Sequence, residues 1–379
     1  MENVLQYLKW RGDILFQEKE FNEVDALVCS LIAYIEWEKV VDDKTITLYN
    51  ACQKYLDIHT EEDMSLTYAY SPMLIDLIKQ LPQTVRYKDI QLKRYISIFD
   101  EDKEAQFAAI TILLPNHKVF ISFRGTDSSI LGWKEDFEMT YQEKIPSHQI
   151  AVDYLKQAYQ DIVEDKKMIG IKYGKTISDL YLGGHSKGGN LAMYAAICCE
   201  DMQTYIKHVY SFDGPGFRNE FYQNHDYSSI IKRIYNYVPI SSIIGRLMTH
   251  KEKYIIFNGY DNGLQQHDSF YWKVCCDHFD YTDKFDDESN KTMDYIDTIL
   301  LAKSDDEKKT FITLMFKILN DLNINNITDF AELTIKQSIH GIKELSTMTT
   351  EDRKLFLEFL KLAFMQVKSV YFTKKKENP

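Results

Sequence analysis

The spacing of apolar positions changes along the chain, and each change predicts a different element. From residue 1 to about 65 they recur at helical intervals in acidic sequence. In Phe21-Asn22-Glu23-Val24-Asp25-Ala26-Leu27-Val28, Asn22 is placed to cap a helix with Asp25 at its third position, and the stripe continues through Leu31 and Ile35. A second helical stretch runs from near Pro72 to Gln80 and stops before Pro82. Next come short runs rich in β-branched and aromatic residues: Tyr95 to Phe99, Phe107 to Leu114 and Val119 to Phe123. The last two are predicted to form a hairpin across Pro115-Asn116-His117.

After the hairpin, strands and helices alternate. A helical pattern from about Gln149 to Val163 precedes a strand at Asp179 to Leu182, and Leu191, Ala195, Cys198 and Met202 again have helical spacing. His208 to Phe212, Arg233 to Val238 and Tyr254 to Phe257 read as further strands. This alternation predicts a largely parallel sheet covered by helices on both faces. From about Asp283 the texture is helical once more. Phe356, Leu360, Ala363, Val367 and Val370 share one face behind a cap at Thr349 or Thr350, and Lys374-Lys375-Lys376 reads as a solvated tail. The expected organisation is a helical region over 1–84 packed on an α/β core over 85–282, followed by a helical region over 283–379.

Composition narrows the function classes. The 379 residues include 57 acidic and 45 Lys or Arg side chains, a net charge of −12, which argues against general nucleic-acid binding. No apolar run reaches the roughly 18 residues of a membrane span, and the N-terminus has no apolar core of a signal peptide. Cys29, Cys52, Cys198, Cys199, Cys275 and Cys276 lack metal-binding spacing, and the vicinal pairs Cys198-Cys199 and Cys275-Cys276 read as core, so a reduced, cytoplasmic location is expected. Glu135-Asp136 has no histidine or third acid at ligand spacing, and a lid-adjacent structural role, opposite Arg124, is expected instead.

One segment carries the chemistry. Gly184-His185-Ser186-Lys187-Gly188 follows a strand and precedes a helix, the context of a G-x-S-x-G nucleophile elbow. A sharp turn there lifts the serine Oγ above the sheet, and side chains at the flanking glycine positions would strike neighbouring backbone. The nascent helix aims the Lys187 N–H where an oxyanion would develop. A second donor must come from an earlier strand end. Phe123-Arg124-Gly125-Thr126-Asp127 fits, Thr126 offering a backbone N–H and a hydroxyl.

These two segments resemble the F-R-G-[ST] and G-H-S-x-G-G motifs of the class 3 (fungal-type) lipases. A closer resemblance is to an uncharacterised bacterial group of lipase-like α/β-hydrolases of unknown function. It rests on Tyr7-Leu8-Lys9-Trp10-Arg11-Gly12-Asp13, Phe21 to Asp25, Gly132-Trp133-Lys134-Glu135-Asp136-Phe137 and Phe212-Asp213-Gly214-Pro215-Gly216-Phe217. Val238 to Gly245 and Gln266-His267-Asp268 complete it. The resemblance spans most of residues 1 to about 280. It implies an α/β-hydrolase core with a mostly parallel sheet, carrying helical additions at both ends.

A general base after Ser186 in chain order leaves His208, His225, His250, His267, His278 and His340. His267 follows the last sheet strand through a Gly-rich loop and falls in the Q-H-D segment of the lipase-like group. The class 3 lipases carry the acid in a D-x-V-P segment, but here the match reads Asn236-Tyr237-Val238-Pro239. Asp213, at the end of the strand after the nucleophile helix, is the first choice of acid and Asp261 the second; Asp268 is awkwardly adjacent to the base. The expected activity is hydrolysis of a carboxylic ester, a small-molecule or lipid acyl substrate, with no metal or cofactor and with room for peripheral lipid contact. The alternative is a hydrolase fold without a working acid, serving as a ligand-binding or scaffold module.

Overall fold

A computed structural model of the chain describes residues 2–68, 71–127, 129–168, 177–261, 263–324, 329 and 348–357. Eight strands build the sheet in sequence order: β1 (Ile46–Thr47), β2 (Gln91–Asp100), β3 (Ala105–Leu114), β4 (Lys118–Phe123), β5 (Asp179–His185), β6 (Ile206–Phe212), β7 (Ile234–Pro239) and β8 (Tyr254–Phe257). The pairs from β1 to β4 are antiparallel, and those from β4 to β8 are parallel. The β3–β4 hairpin turns at Asn116 and His117, both with φ near +60°. A two-stranded ribbon, β9 (Val274–Cys275) with β10 (His278–Phe279), follows.

Alternation along the strands sorts side chains onto two cores. Phe107, Ala109, Val119, Ile121, Phe123, Leu180 and Leu182 face one layer. There they meet α7 (Pro146–Met168), α8 (Lys187–Cys198) and α9 (Asn219–Asn224). Ala108, Ile110, Ile112, Phe120, Tyr181 and Tyr210 face the other. That side is covered by α1 (Val4–Arg11), α2 (Glu23–Ile32), α3 (Leu48–Ile58) and α5 (Met73–Gln80), with the short α4 (Glu61–Thr67) between the last two. A side chain such as Phe120, with no exposed surface, contributes about 1.5–3 kcal/mol by burial.

Asn22 caps α2 with Asp25 in a reciprocal capping box. The Asp25 carboxylate also accepts from Tyr7, Tyr87 and both Nε and Nη2 of Arg86, a buried ion pair that locks the N-terminal helices together.

Between β4 and β5 lies α6 (Ile130–Glu138) ahead of α7. Beyond the sheet come α10 (Asp287–Ile296), a π-helical turn (Asp297–Leu301) and α11 (Asp305–Asp321). Thr349 caps a further helical stretch over 350–357, its Oγ1 accepting from the Asp352 N–H at 3.1 Å. Leu360, Ala363, Val367, Val370 and the Lys374–Lys376 run of the expected last helix and tail lie outside the described residues, as does His340. Of the vicinal cysteines expected in the core, Cys199 is buried and Cys198 half-buried, whereas Cys275, at the end of β9, and Cys276, in the turn after it, are exposed.

Candidate active site

The strand β5 ends at His185 and α8 begins at Lys187, so the whole reversal falls on Ser186 (φ 59°, ψ −132°). A non-glycine residue there stores about 1–3 kcal/mol of strain. The turn closes by Ser186 N–H to Phe212 C=O at 2.9 Å and Gly189 N–H to Ser186 C=O at 2.9 Å. The flanking glycines are sterically required. A Cβ on Gly188 would lie 2.1 Å from the Phe123 carbonyl oxygen, and one on Gly184 would lie 2.4 Å from the Gly188 carbonyl carbon. The end of β4 is thereby held directly under the serine.

Three elements bring three side chains into line. Ser186 Oγ lies 2.9 Å from Nε2 of His267, and Nδ1 of the same ring lies 2.6 Å from Oδ2 of Asp213. The carboxylate can only accept, so Nδ1 carries a proton and Nε2 accepts from the serine hydroxyl. Ser186 is 7% exposed and Asp213 fully buried. Asp213 leaves β6 with φ 52°, its N–H bonded to Tyr237 C=O at 2.8 Å. Its second oxygen accepts from the Ser242 hydroxyl, which in turn accepts from the Gly245 N–H at 3.2 Å. Asn190 donates to the Pro215 and Gly216 carbonyls at 3.1 and 2.9 Å, fixing the loop behind Asp213. His148 donates from Nε2 to Asn190 and accepts at Nδ1 from the Ile145 N–H; burial holds it neutral by pushing its pKa down to about 4.

The other candidates lie elsewhere. The Asp261 side chain is exposed, and its main-chain carbonyl accepts from Gln266. Asp268 caps the turn after His267 and accepts from Ser71, and burial raises its pKa to about 6. Asn236, at the position where the class 3 motif has its acid, donates instead to Glu252 at 2.9 Å, the carboxylate that also accepts from His250 Nδ1. His225 lies by Cys198, and His208 is half-buried on β6.

Lys187 supplies the first N–H of α8, a helix end whose donors have no partner within the helix. Thr126 also borders the site, but its hydroxyl is committed to Asp136 Oδ2 at 2.5 Å, so the backbone N–H is the donor it can offer. Burial raises Asp136 to about 6. The expected partnership of Arg124 with Glu135-Asp136 is not what forms: Arg124 pairs with Asp127, and Glu135 with the Lys187 ammonium at 2.9 Å. Burial drives the Glu135 carboxyl up, but the Lys187 charge and two Ser147 hydrogen bonds outweigh it, so its pKa lies below the usual value.

Sequence reasoning missed Tyr34 and Ser242. Glu135, Asp136 and Ser242 sit in Gly132–Phe137 and Val238–Gly245, segments already marked by resemblance, but Tyr34 had no such signal.

Beside Ser186 opens a pocket of about 270 Å³. Its walls include Leu31 and Leu74 from the N-terminal helices, Trp133 and Phe137 from α6, Ile243 and Leu247 after β7, and Ile296 and Leu300 from α10 and the π turn. The lining is mainly apolar, which suits an acyl chain.

Among solved structures, a protein described as M37 lipase is similar at 14% identity and a TM-score of 0.33, over 49% of this chain and 69% of that one. No curated protein matches. A family model described as Mbeg1-like matches residues 81–317, from just after α5 to within α11, a span that includes Thr126, Ser186, Lys187, Asp213 and His267. With that match spanning more than half of its length, this lipase-like α/β-hydrolase chain belongs to the Mbeg1-like family.

Proposed function

We propose that the protein is a serine hydrolase acting on carboxylic esters. The observation that carries the reading is the contact chain Ser186 Oγ–His267 Nε2 and His267 Nδ1–Asp213 Oδ2, at 2.9 and 2.6 Å. Ser186 Oγ attacks the ester carbonyl carbon while His267 Nε2 takes its proton, and Asp213 stabilises the imidazolium. The tetrahedral oxyanion is held by the N–H groups of Lys187 and Thr126. Collapse breaks the bond to the alcohol oxygen, which receives the proton from His267. Water then attacks the acyl-enzyme with His267 again as base, releasing the acid and restoring the serine.

The arrangement of Asn236 supports this reading over an inert scaffold. The carboxylate missing from its segment is replaced by Asp213, which already occupies the histidine. Among the described residues no helix is long and apolar enough to cross a membrane.

The test is hydrolysis of a series of p-nitrophenyl acyl esters by wild type and Ser186→Ala. Wild type should turn over part of the series, and the variant should lose on the order of 10⁶ in kcat while keeping its melting temperature. Equal rates would remove Ser186 from the mechanism.

A further inference from the structure

The helix α6 forms one wall of the pocket through Trp133, Asp136 and Phe137, and both of its sides are tied down. On the inner side, the fully buried Glu135 accepts from Lys187 Nζ at 2.9 Å, from the Ser147 N–H at 3.0 Å and from the Ser147 hydroxyl at 2.6 Å. Lys187 Nζ completes its set on the carbonyl and side-chain oxygens of Gln106, at 2.9 and 2.8 Å. One carboxylate on α6 therefore joins β3, the start of α7 and the residue next to Ser186. On the other side, which also borders the pocket, Ile130, Trp133 and Phe137 pack into an apolar cluster with Phe311, Ile312, Met315 and Phe316 of α11, and the Phe137 and Phe316 rings meet edge to face at 6.0 Å.

Swinging α6 away from the pocket would strip that cluster of its inner half. It would also leave an ammonium and a carboxylate buried without each other, which a low-dielectric interior strongly resists. The pocket is therefore already in its working form. Its volume of about 270 Å³ lies just below the usual span of ligand sites, about 300 to 1,000 Å³. Leu300, 5% exposed, belongs both to the pocket wall and to the cluster with α11, so the C-terminal helices complete the cavity. A chain of net charge −12 also gains nothing by electrostatics from an anionic lipid surface.

Resting on the hydrolase reading above, we infer that α6 is a fixed wall and not a gate, so the enzyme takes short to medium acyl esters singly from solution, without activation by a lipid–water interface.

The experiment follows acid release from tributyrin by the full-length protein, from well below to well above the ester's solubility limit. The expected curve is one hyperbola that passes the limit without a step. Negligible hydrolysis of dissolved ester with a steep rise once droplets form would overturn the inference while leaving the hydrolase reading intact. Phe316→Ala, on α11 and outside the pocket lining, gives a second readout: loosening α6 should not raise the rate on dissolved ester, whereas a severalfold rise would mark α6 as a gate. No hydrolysis at any concentration, together with no reaction of Ser186 with a fluorophosphonate, would remove the hydrolase reading and this inference with it.

Discussion

His185 Nε2 lies 2.7 Å from the main-chain carbonyl oxygen of His267, so the residue just before the candidate nucleophile holds the backbone of the candidate base. A carbonyl only accepts, so Nε2 carries the proton. Burial pushes the ring's pKa well below its ordinary value, leaving it neutral with Nδ1 as an acceptor. Tyr34 supplies the donor at 2.9 Å. The Tyr34 phenol thus ties the N-terminal helical layer to the site.

From this relay, Tyr34→Phe should leave a buried nitrogen acceptor unsatisfied and cost about 1–3 kcal/mol of stability. Urea denaturation measures the loss, and His185→Phe in the Tyr34→Phe background should add less than it does alone. Fully additive losses would mean the two side chains do not act as a unit.

If Asp213 orients His267, Asp213→Asn should lower kcat by about 10⁴ while KM changes little, because the wrong imidazole tautomer is favoured. Combined with His267→Ala it should be scarcely worse than His267→Ala alone. Asp261→Asn, at an exposed side chain, should leave steady-state kinetics near wild type. The reverse pattern would move the acid to the later loop.

The Lys187–Glu135 pair is fully buried, so Glu135→Ala should destabilise by about 3–5 kcal/mol by leaving the ammonium uncompensated. Glu135→Met with Lys187→Met should recover much of that loss, since neither charge then remains. Chemical denaturation of the two variants against wild type decides the point, and a double variant weaker than Glu135→Ala would contradict it.

Asp136 sets a pH dependence. Its pKa is raised in the folded chain from 3.8 to about 6 by burial, so the folded state holds this proton more tightly than the unfolded state does. The stability it contributes is full below about pH 4 and is lost as the pH rises through 6. Asp136→Asn cannot ionise. Its melting temperature should therefore gain on wild type between pH 4 and 6 and run parallel above; parallel curves throughout would show that Asp136 does not titrate in that range.

Much of this was legible in the chain because it is local. The apolar runs of β3, β4 and β5, the capping box at Asn22 and the glycines around Ser186 are each set by neighbours a few residues apart. The two-residue β1 has too little sequence to show a period, and it pairs with β2 only through tertiary contact. The site's supporting contacts were hidden for the same reason. Ser242 reaches Asp213, Tyr34 reaches His185 and Glu135 reaches Lys187 across separations of 29, 151 and 52 residues. Lys187 read as a backbone donor alone, since nothing in a pentapeptide reveals where a lysine side chain will be buried.

The central claim is that Ser186 is a nucleophile activated by His267. Intact-mass and peptide-mass measurement after exposure to a fluorophosphonate tests it most directly. One adduct on Ser186, absent in Ser186→Ala and formed far more slowly in His267→Ala, is the predicted result. An unmodified wild-type protein, or an adduct on another residue, would contradict the claim.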